Sequence, residues 1–73
     1  MIMLKLSREL YSEKNIKKAV SDFSQLANFE VSYNPDAFVV SIDKCKYEEE
    51  ETASEFENYL IELTYGSLKN NDF

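Results

Sequence analysis

The side chains in this sequence that could take part in chemistry are carboxylates, tyrosines and one cysteine. The chain has fourteen Asp and Glu residues and five Tyr, but it has no His. Without His, the Ser–His and Cys–His pairs that activate most enzymatic nucleophiles cannot be assembled within the chain. The carboxylates fall mainly on predicted helix surfaces, where solvated charge is a more common role than acid–base catalysis. The sequence therefore predicts a protein that is not an enzyme.

The sequence also predicts no bound metal and no cofactor. Because Cys45 is the only cysteine, an internal disulfide is impossible and the ligands of a zinc site or an iron–sulfur cluster are missing. Gly66 is the only glycine, which excludes a glycine-rich phosphate-binding loop. Cys45 could be a half-buried apolar residue or a reactive thiol, and the first role is the more common one.

The net charge of -6 is unevenly distributed along the chain. Residues 1–46 carry seven basic and six acidic side chains, whereas residues 47–73 carry one basic and eight acidic ones. This acidic half argues against nucleic acid and against an anionic membrane surface, because both attract clustered Lys and Arg. Two interpretations remain open, a solvated helix face and a surface for a basic partner. Since no apolar run approaches the ~20 residues of a membrane span, we expect a cytoplasmic protein.

Hydrophobic spacing predicts a short strand followed by a helix in the first part of the chain. The strand is expected over residues 3–7, with Ile2, Leu4 and Leu6 on one face. Ser12 is a suitable N-cap, so the first helix is expected from Glu13 to Ala27. Its apolar residues recur at helical spacing and form one stripe: Ile16, Ala19, Val20, Phe23, Leu26 and Ala27.

A hairpin and a second helix are predicted in the remaining part. The hairpin strands alternate over residues 29–33 and 38–42, on either side of a turn that contains Pro35. Val39 is an apolar residue on the second face of its strand, which indicates a covered or central strand. The last helix is expected to begin between Glu49 and Thr52 and to end near Leu68.

These elements predict one small α+β domain over residues 1–73, with residues 70–73 as a frayed tail. The order is β-α-β-β-α, with a three-stranded sheet in the order 1-3-2 and both helices packed on one face. The other face and the two outer strand edges are then open, and an open edge is a natural place for another chain to pair.

Two groups of residues are candidate contacts for a peptide or a partner. The first is an edge-strand segment whose backbone could pair with an extended peptide, formed by Glu30, Val31, Ser32 and Tyr33. The second is a set of apolar positions on the last helix that exceeds what one small sheet can cover, formed by Tyr59, Ile61, Tyr65 and Leu68. A wide apolar arc of this kind could also form the seam of a homodimer.

Two sets of residues in this chain follow the pattern of a known family. The N-terminal set is Leu10-Tyr11-Ser12, Ile16, Lys18-Ala19, Phe23-Ser24, Phe29 and Val31. The C-terminal set is Phe56, Asn58, Leu60, Ile61, Leu63 and Leu68. On these residues the chain resembles the HxsD-like family, the small proteins of the His-Xaa-Ser peptide systems. The likeness runs from about residue 4 to residue 68. Lys69 stands where the family usually has Arg, and the run of four glutamates at 48–51 is not a family feature.

The resemblance implies a non-catalytic accessory protein in the maturation of a ribosomally synthesised peptide. Its expected partners are a precursor peptide, a radical S-adenosylmethionine (SAM) enzyme, or both. The enzyme would carry the iron–sulfur cluster, and no catalytic residue is carried over to this chain. The alternative interpretation is a self-associating structural protein, a homodimer formed through the last helix.

Overall fold

A computed structural model describes residues 1–70 of the chain, including the side chains of residues 1–66. The elements are β1 (Ile2–Ser7), α1 (Glu13–Phe23), β2 (Asn28–Tyr33), β3 (Ala37–Asp43) and α2 (Glu49–Asn70). The predicted β-α-β-β-α order is therefore confirmed. Residues 71–73, which make up most of the predicted frayed tail, lie outside the described residues.

The sheet has the predicted order, β1-β3-β2. β3 is central and pairs antiparallel with both neighbours, so that Val40 lies opposite Leu4 on one side and opposite Val31 on the other. The same register brings Leu6, Phe38 and Tyr33 into one row across the sheet. Because side chains alternate along each strand, these two apolar rows lie on the same face of the sheet.

Both helices pack on this apolar face, as predicted. The core contains Ile16 and Ala19 from α1, and Ala53, Phe56 and Leu60 from α2. Its strand residues include Leu6, Phe38, Val40 and Ile42, and Val40 and Ile42 are completely buried. Val39 is half-buried on the opposite face of β3, as expected for the central strand.

The first helix begins where the sequence predicts but ends earlier. The hydroxyl of Ser12 accepts a hydrogen bond from the backbone N–H of Asn15 over 3.1 Å. The predicted end at Ala27 is wrong, because the helix stops at Phe23. The hydroxyl of Ser24 donates to the carbonyl of Ser21 over 2.9 Å, and this local bond replaces a helical one. The chain then turns and enters β2, and Ala27 reaches the core from this connection instead.

The second helix begins at Glu49, within the predicted range. Three glutamates occupy its first turn, Glu49 to Glu51, where the free backbone N–H groups favour negative charge. The amino group of Met1 lies 2.8 Å from the Glu49 carboxylate. Buried Thr52 is satisfied because its hydroxyl donates to the carbonyl of Glu48 over 3.0 Å.

Two hydrogen bonds join the segments that connect the strands and helices to one another. The guanidinium of Arg8 donates to the carbonyl of Asn34 over 2.9 Å, and its carbon lies 4.6 Å from the centroid of the Phe38 ring. At the other end of the sheet, the N–H of Lys46 donates to the carbonyl of Leu26 over 2.7 Å. The first contact joins the β1–α1 connection to the hairpin turn, and the second joins the α1–β2 connection to the β3–α2 connection.

Candidate functional site

The outer edge of β2 presents backbone groups that no described strand uses. The N–H of Asn34 donates to the carbonyl of Ala37 over 3.0 Å, so these two residues form a hydrogen-bonded pair. Such pairs alternate along an antiparallel ladder, and the register makes Ser32 with Val39 the next one. The backbone groups that point away from β3 therefore belong to Phe29, Val31 and Tyr33.

The edge of β1 is less suited to accept another strand. By the same alternation, the outward backbone groups of β1 belong to Met3, Lys5 and Ser7. The carbonyl of Ser7 already accepts the N–H of Tyr11 over 3.0 Å. An edge lysine such as Lys5 also disfavours strand addition. β2 is thus the more open of the two edges.

The predicted segment Glu30, Val31, Ser32 and Tyr33 lies along this β2 edge. Val31 and Tyr33 supply outward backbone groups, while the side chains of Glu30 and Ser32 lie on the open face of the sheet. Tyr33 packs edge-on against Phe38, with the ring centroids 5.6 Å apart. The ammonium of Lys17, from α1, lies 6.0 Å from the centroid of the Tyr33 ring. A positive charge therefore stands at one end of the edge.

Tyr59, predicted as a partner contact, bridges the two helices within the chain. Its hydroxyl donates to the Asp22 carboxylate, which also accepts the ammonium of Lys18 over 3.2 Å. These two hydrogen bonds, the one from Tyr59 first, lower the pKa of Asp22. The bond to Asp22 is also the main reason that the pKa of Tyr59 is raised. The ring of Tyr59 lies 5.6 Å from that of Phe23, so this residue joins the helices.

Replacing the carboxylate tests this bridge directly. We expect Asp22→Asn to bring the pKa of Tyr59 down toward the ordinary tyrosine value of about 10, because the charged acceptor is removed. The measurement is ultraviolet absorbance of the phenolate against pH, with Tyr59→Phe used to identify the signal of Tyr59. An unchanged titration in Asp22→Asn would contradict the bridge.

The pKa shifts of Asp22 and Tyr59 determine how the stabilisation by this bridge depends on pH. The lowered pKa of Asp22 means that its contribution to stability is present above the ordinary Asp pKa and is lost as pH falls through the lowered value. The raised pKa of Tyr59 means that its contribution is present below the ordinary Tyr pKa and is lost as pH rises through the raised value. The bridge therefore stabilises the helix pair between these two limits.

The other predicted helix positions lie at a shallow apolar groove. The groove has a volume of about 320 Å³ and is lined by Leu10, Tyr11, Ile61, Thr64 and Tyr65. Leu10 is 67% exposed, Tyr65 61% and Ile61 39%. Sequence reasoning identified Ile61 and Tyr65, but it did not place Leu10 and Tyr11 beside them. The predicted Leu68 side chain lies outside the described residues.

The described part of the chain contains neither a cluster of metal-ligating side chains nor a membrane-spanning helix. Among its residues, no group of three or more Cys, Asp or Glu side chains is arranged to hold a metal ion. Neither helix, as far as it is described, combines the length and the apolar character needed to cross a bilayer. Cys45 is half-buried and packs against the core.

Comparisons of the chain with protein-family models, with curated proteins and with solved structures find no match.

Proposed function

We propose that this protein is a non-catalytic binding module that captures an extended peptide along the outer edge of β2. The observation that carries the proposal is the row of outward N–H and C=O groups on Phe29, Val31 and Tyr33. An added strand would satisfy these groups with main-chain hydrogen bonds, as in other cases of strand addition. The edge is open because β2 is an outer strand of the sheet.

The resemblance to the HxsD-like family supplies the biological setting of the proposal. In that setting the peptide is the precursor of a ribosomally synthesised product, and a radical SAM enzyme modifies it. The module would recognise the precursor, dock on the enzyme, or do both, and it would act in the cytoplasm, where the precursor is made. It would itself bind no cofactor.

The surroundings of the edge suggest which peptide side chains are favoured. Residues of an added strand alternate between the helix side and the open side of the sheet. On the helix side, a residue next to Tyr33 would meet the ammonium of Lys17, so an acidic side chain fits there. On the open side, a residue next to Ser32 would meet a small polar surface. The proposal therefore favours an extended segment that carries a carboxylate.

Titration of the purified protein tests this function. The two ligands are the short precursor peptide and the radical SAM enzyme that the proposal expects to be encoded near its gene, and isothermal calorimetry measures the binding of each. We expect at least one to bind in the micromolar range, as is common when a peptide must become ordered on binding. If neither ligand binds at several hundred micromolar, the proposal is wrong. A neighbourhood that encodes no such peptide and no such enzyme would remove the proposed setting.

Self-association through α2 is the second candidate function. Its support is the exposure of Ile61 and Tyr65 on the side of the helix that faces away from the sheet. Light scattering at about 50 µM separates the two candidates, because a dimer would double the measured mass. A monomer at that concentration rules out this second candidate and leaves the first unaffected.

A further inference from the structure

The groove beside α2 is separate from the β2 edge and has a distinct chemical character. Its exposed apolar side chains come from the β1–α1 connection, Leu10, and from α2, Ile61 and Tyr65. Exposed apolar residues that cluster in a concavity mark an interaction site more reliably than the same residues scattered over a surface. The charges next to the groove indicate what kind of partner it fits.

The exposed face of α2 leading to the groove is uniformly acidic. From residue 49 to residue 66 the helix carries six carboxylates and no Lys or Arg. Four of these carboxylates are exposed: Glu50, Glu51, Glu55 and Glu62. Among the ion pairs of residues 1–66, only Glu49 on this helix has a basic partner. A second shallow concavity, of about 450 Å³, lies among Glu48, Glu50, Glu51, Ser54 and Glu55.

Helical spacing aligns the acidic residues with the apolar groove. Glu51, Glu55 and Glu62 are separated by four and seven residues and so lie along one line of the helix. Ile61 and Tyr65 lie on the adjacent line, and Tyr65 is one turn beyond Ile61. The combined surface is about 22 Å long, because the helix rises 1.5 Å per residue from Glu50 to Tyr65. It is acidic along most of its length and apolar at the end nearest the groove.

We propose that this surface binds a basic amphipathic helix of another protein. An apolar side chain of that helix would enter the groove between Leu10 and Tyr65, and its Lys and Arg residues would lie along the carboxylates of α2. About 15 residues of helix match the length of the surface. The site is independent of the peptide-binding edge, so the module could hold two ligands at once.

A second copy of this chain fits the same surface poorly. Pairing two α2 helices through this face brings two sets of exposed carboxylates within a Debye length, about 8 Å at physiological salt. The repulsion between these carboxylates would oppose the association of two copies. A basic partner gains from the same charges, which is why we assign the surface to it.

A pair of synthetic peptides tests the proposal. The probe is a helical peptide of about 16 residues made of Leu and Lys, with the leucines at helical spacing, and the control has Glu in place of every Lys. Fluorescence anisotropy at about 50 mM and about 500 mM NaCl measures binding to the full chain. We expect the Lys peptide to bind, to weaken at least about tenfold at the higher salt, and to compete with no ligand of the β2 edge. Equal binding of the Glu peptide would overturn the proposal.

Two double variants and a charge control locate the binding. Ile61→Ser with Tyr65→Ser removes the apolar anchors and should weaken binding by at least about tenfold, while circular dichroism checks that the fold is intact. Glu55→Gln with Glu62→Gln should weaken binding and reduce its salt dependence. Asp36→Asn in the hairpin turn makes the same change in net charge as Glu62→Gln alone, and it should leave binding unchanged.

Three outcomes would overturn the assignment. Equal loss in both charge variants would mean general attraction to an acidic protein. Unchanged binding in the Ile61 and Tyr65 variant would mean that the groove is not used. A concentration-dependent dimer that Ile61→Ser abolishes would mean that the occupant is a second copy. None of these results affects the peptide titration at the β2 edge, so the two proposals can fail separately.

Discussion

Phe56→Ala is expected to leave most of the protein unfolded at 25 °C. Phe56 is fully buried, and its ring lies 4.9 Å from Phe29 and 5.6 Å from Phe23 between centroids. It therefore joins α2 to both α1 and β2. Replacing a buried Phe by Ala costs about 3–5 kcal/mol, through lost burial and the cavity that remains. A domain of this size rarely has more than about 3–5 kcal/mol of stability in total.

Urea denaturation followed by circular dichroism measures this effect. Phe56→Leu provides a graded variant, since it keeps most of the volume and should remain folded with a lower urea midpoint. Tyr47→Ala is the matched control, because it removes an aromatic ring that is 67% exposed and should change stability by less than about 0.5 kcal/mol. An unchanged urea midpoint for Phe56→Ala would contradict the packing described here.

Val31→Pro is expected to abolish peptide binding at the β2 edge while the domain stays folded. The N–H of Val31 points away from β3, so proline removes a donor that only an added strand would use. Ser32→Pro removes instead an N–H that donates to Val39 within the hairpin. A proline that removes a ladder hydrogen bond is poorly tolerated in a sheet, so Ser32→Pro should destabilise the fold. The two adjacent substitutions should therefore have opposite effects on folding and binding.

Calorimetry with the precursor peptide and urea denaturation together measure this contrast. We expect at least about a hundredfold loss of affinity for Val31→Pro, because the central N–H donor is lost and the proline ring obstructs the edge. Val31→Thr keeps the N–H and the branched shape and should bind normally. If Val31→Pro remains folded and binds as tightly as the unaltered protein, the peptide does not use this edge.

The strand order could be predicted from the sequence because the constraints on it are local. Val39 adds an apolar residue to the second face of β3, which indicates a covered or central strand, and the Pro35 turn pairs that strand with β2. A central β3 gives the order 1-3-2, which the structure confirms. The end of α1 could not be predicted in this way. Leu26 and Ala27 keep the helical spacing of apolar residues, yet Ala27 reaches the core through a turn that the Ser24 hydroxyl begins.

The candidate sites were predictable only in part, because helical spacing is visible in the sequence and contacts between distant residues are not. The apolar arc of α2 is visible in the sequence, so the exposure of Ile61 and Tyr65 follows from helical spacing. The role of Tyr59 does not, because its partner Asp22 lies 37 residues away on another helix. Leu10 belongs to a connection without periodicity, and its place at the groove depends on how β1 and α2 pack.

The alternation of backbone bonds along β2 also determines how fast heavy water labels each amide. In the free protein, the amides of Val31 and Tyr33 face solvent and should exchange first, whereas those of Glu30 and Ser32 exchange only when the hairpin opens. An added strand would slow Val31 and Tyr33 and leave their neighbours nearly unchanged. The exchange rates of single amides therefore report whether the β2 edge is occupied, and they can be measured in the unaltered chain.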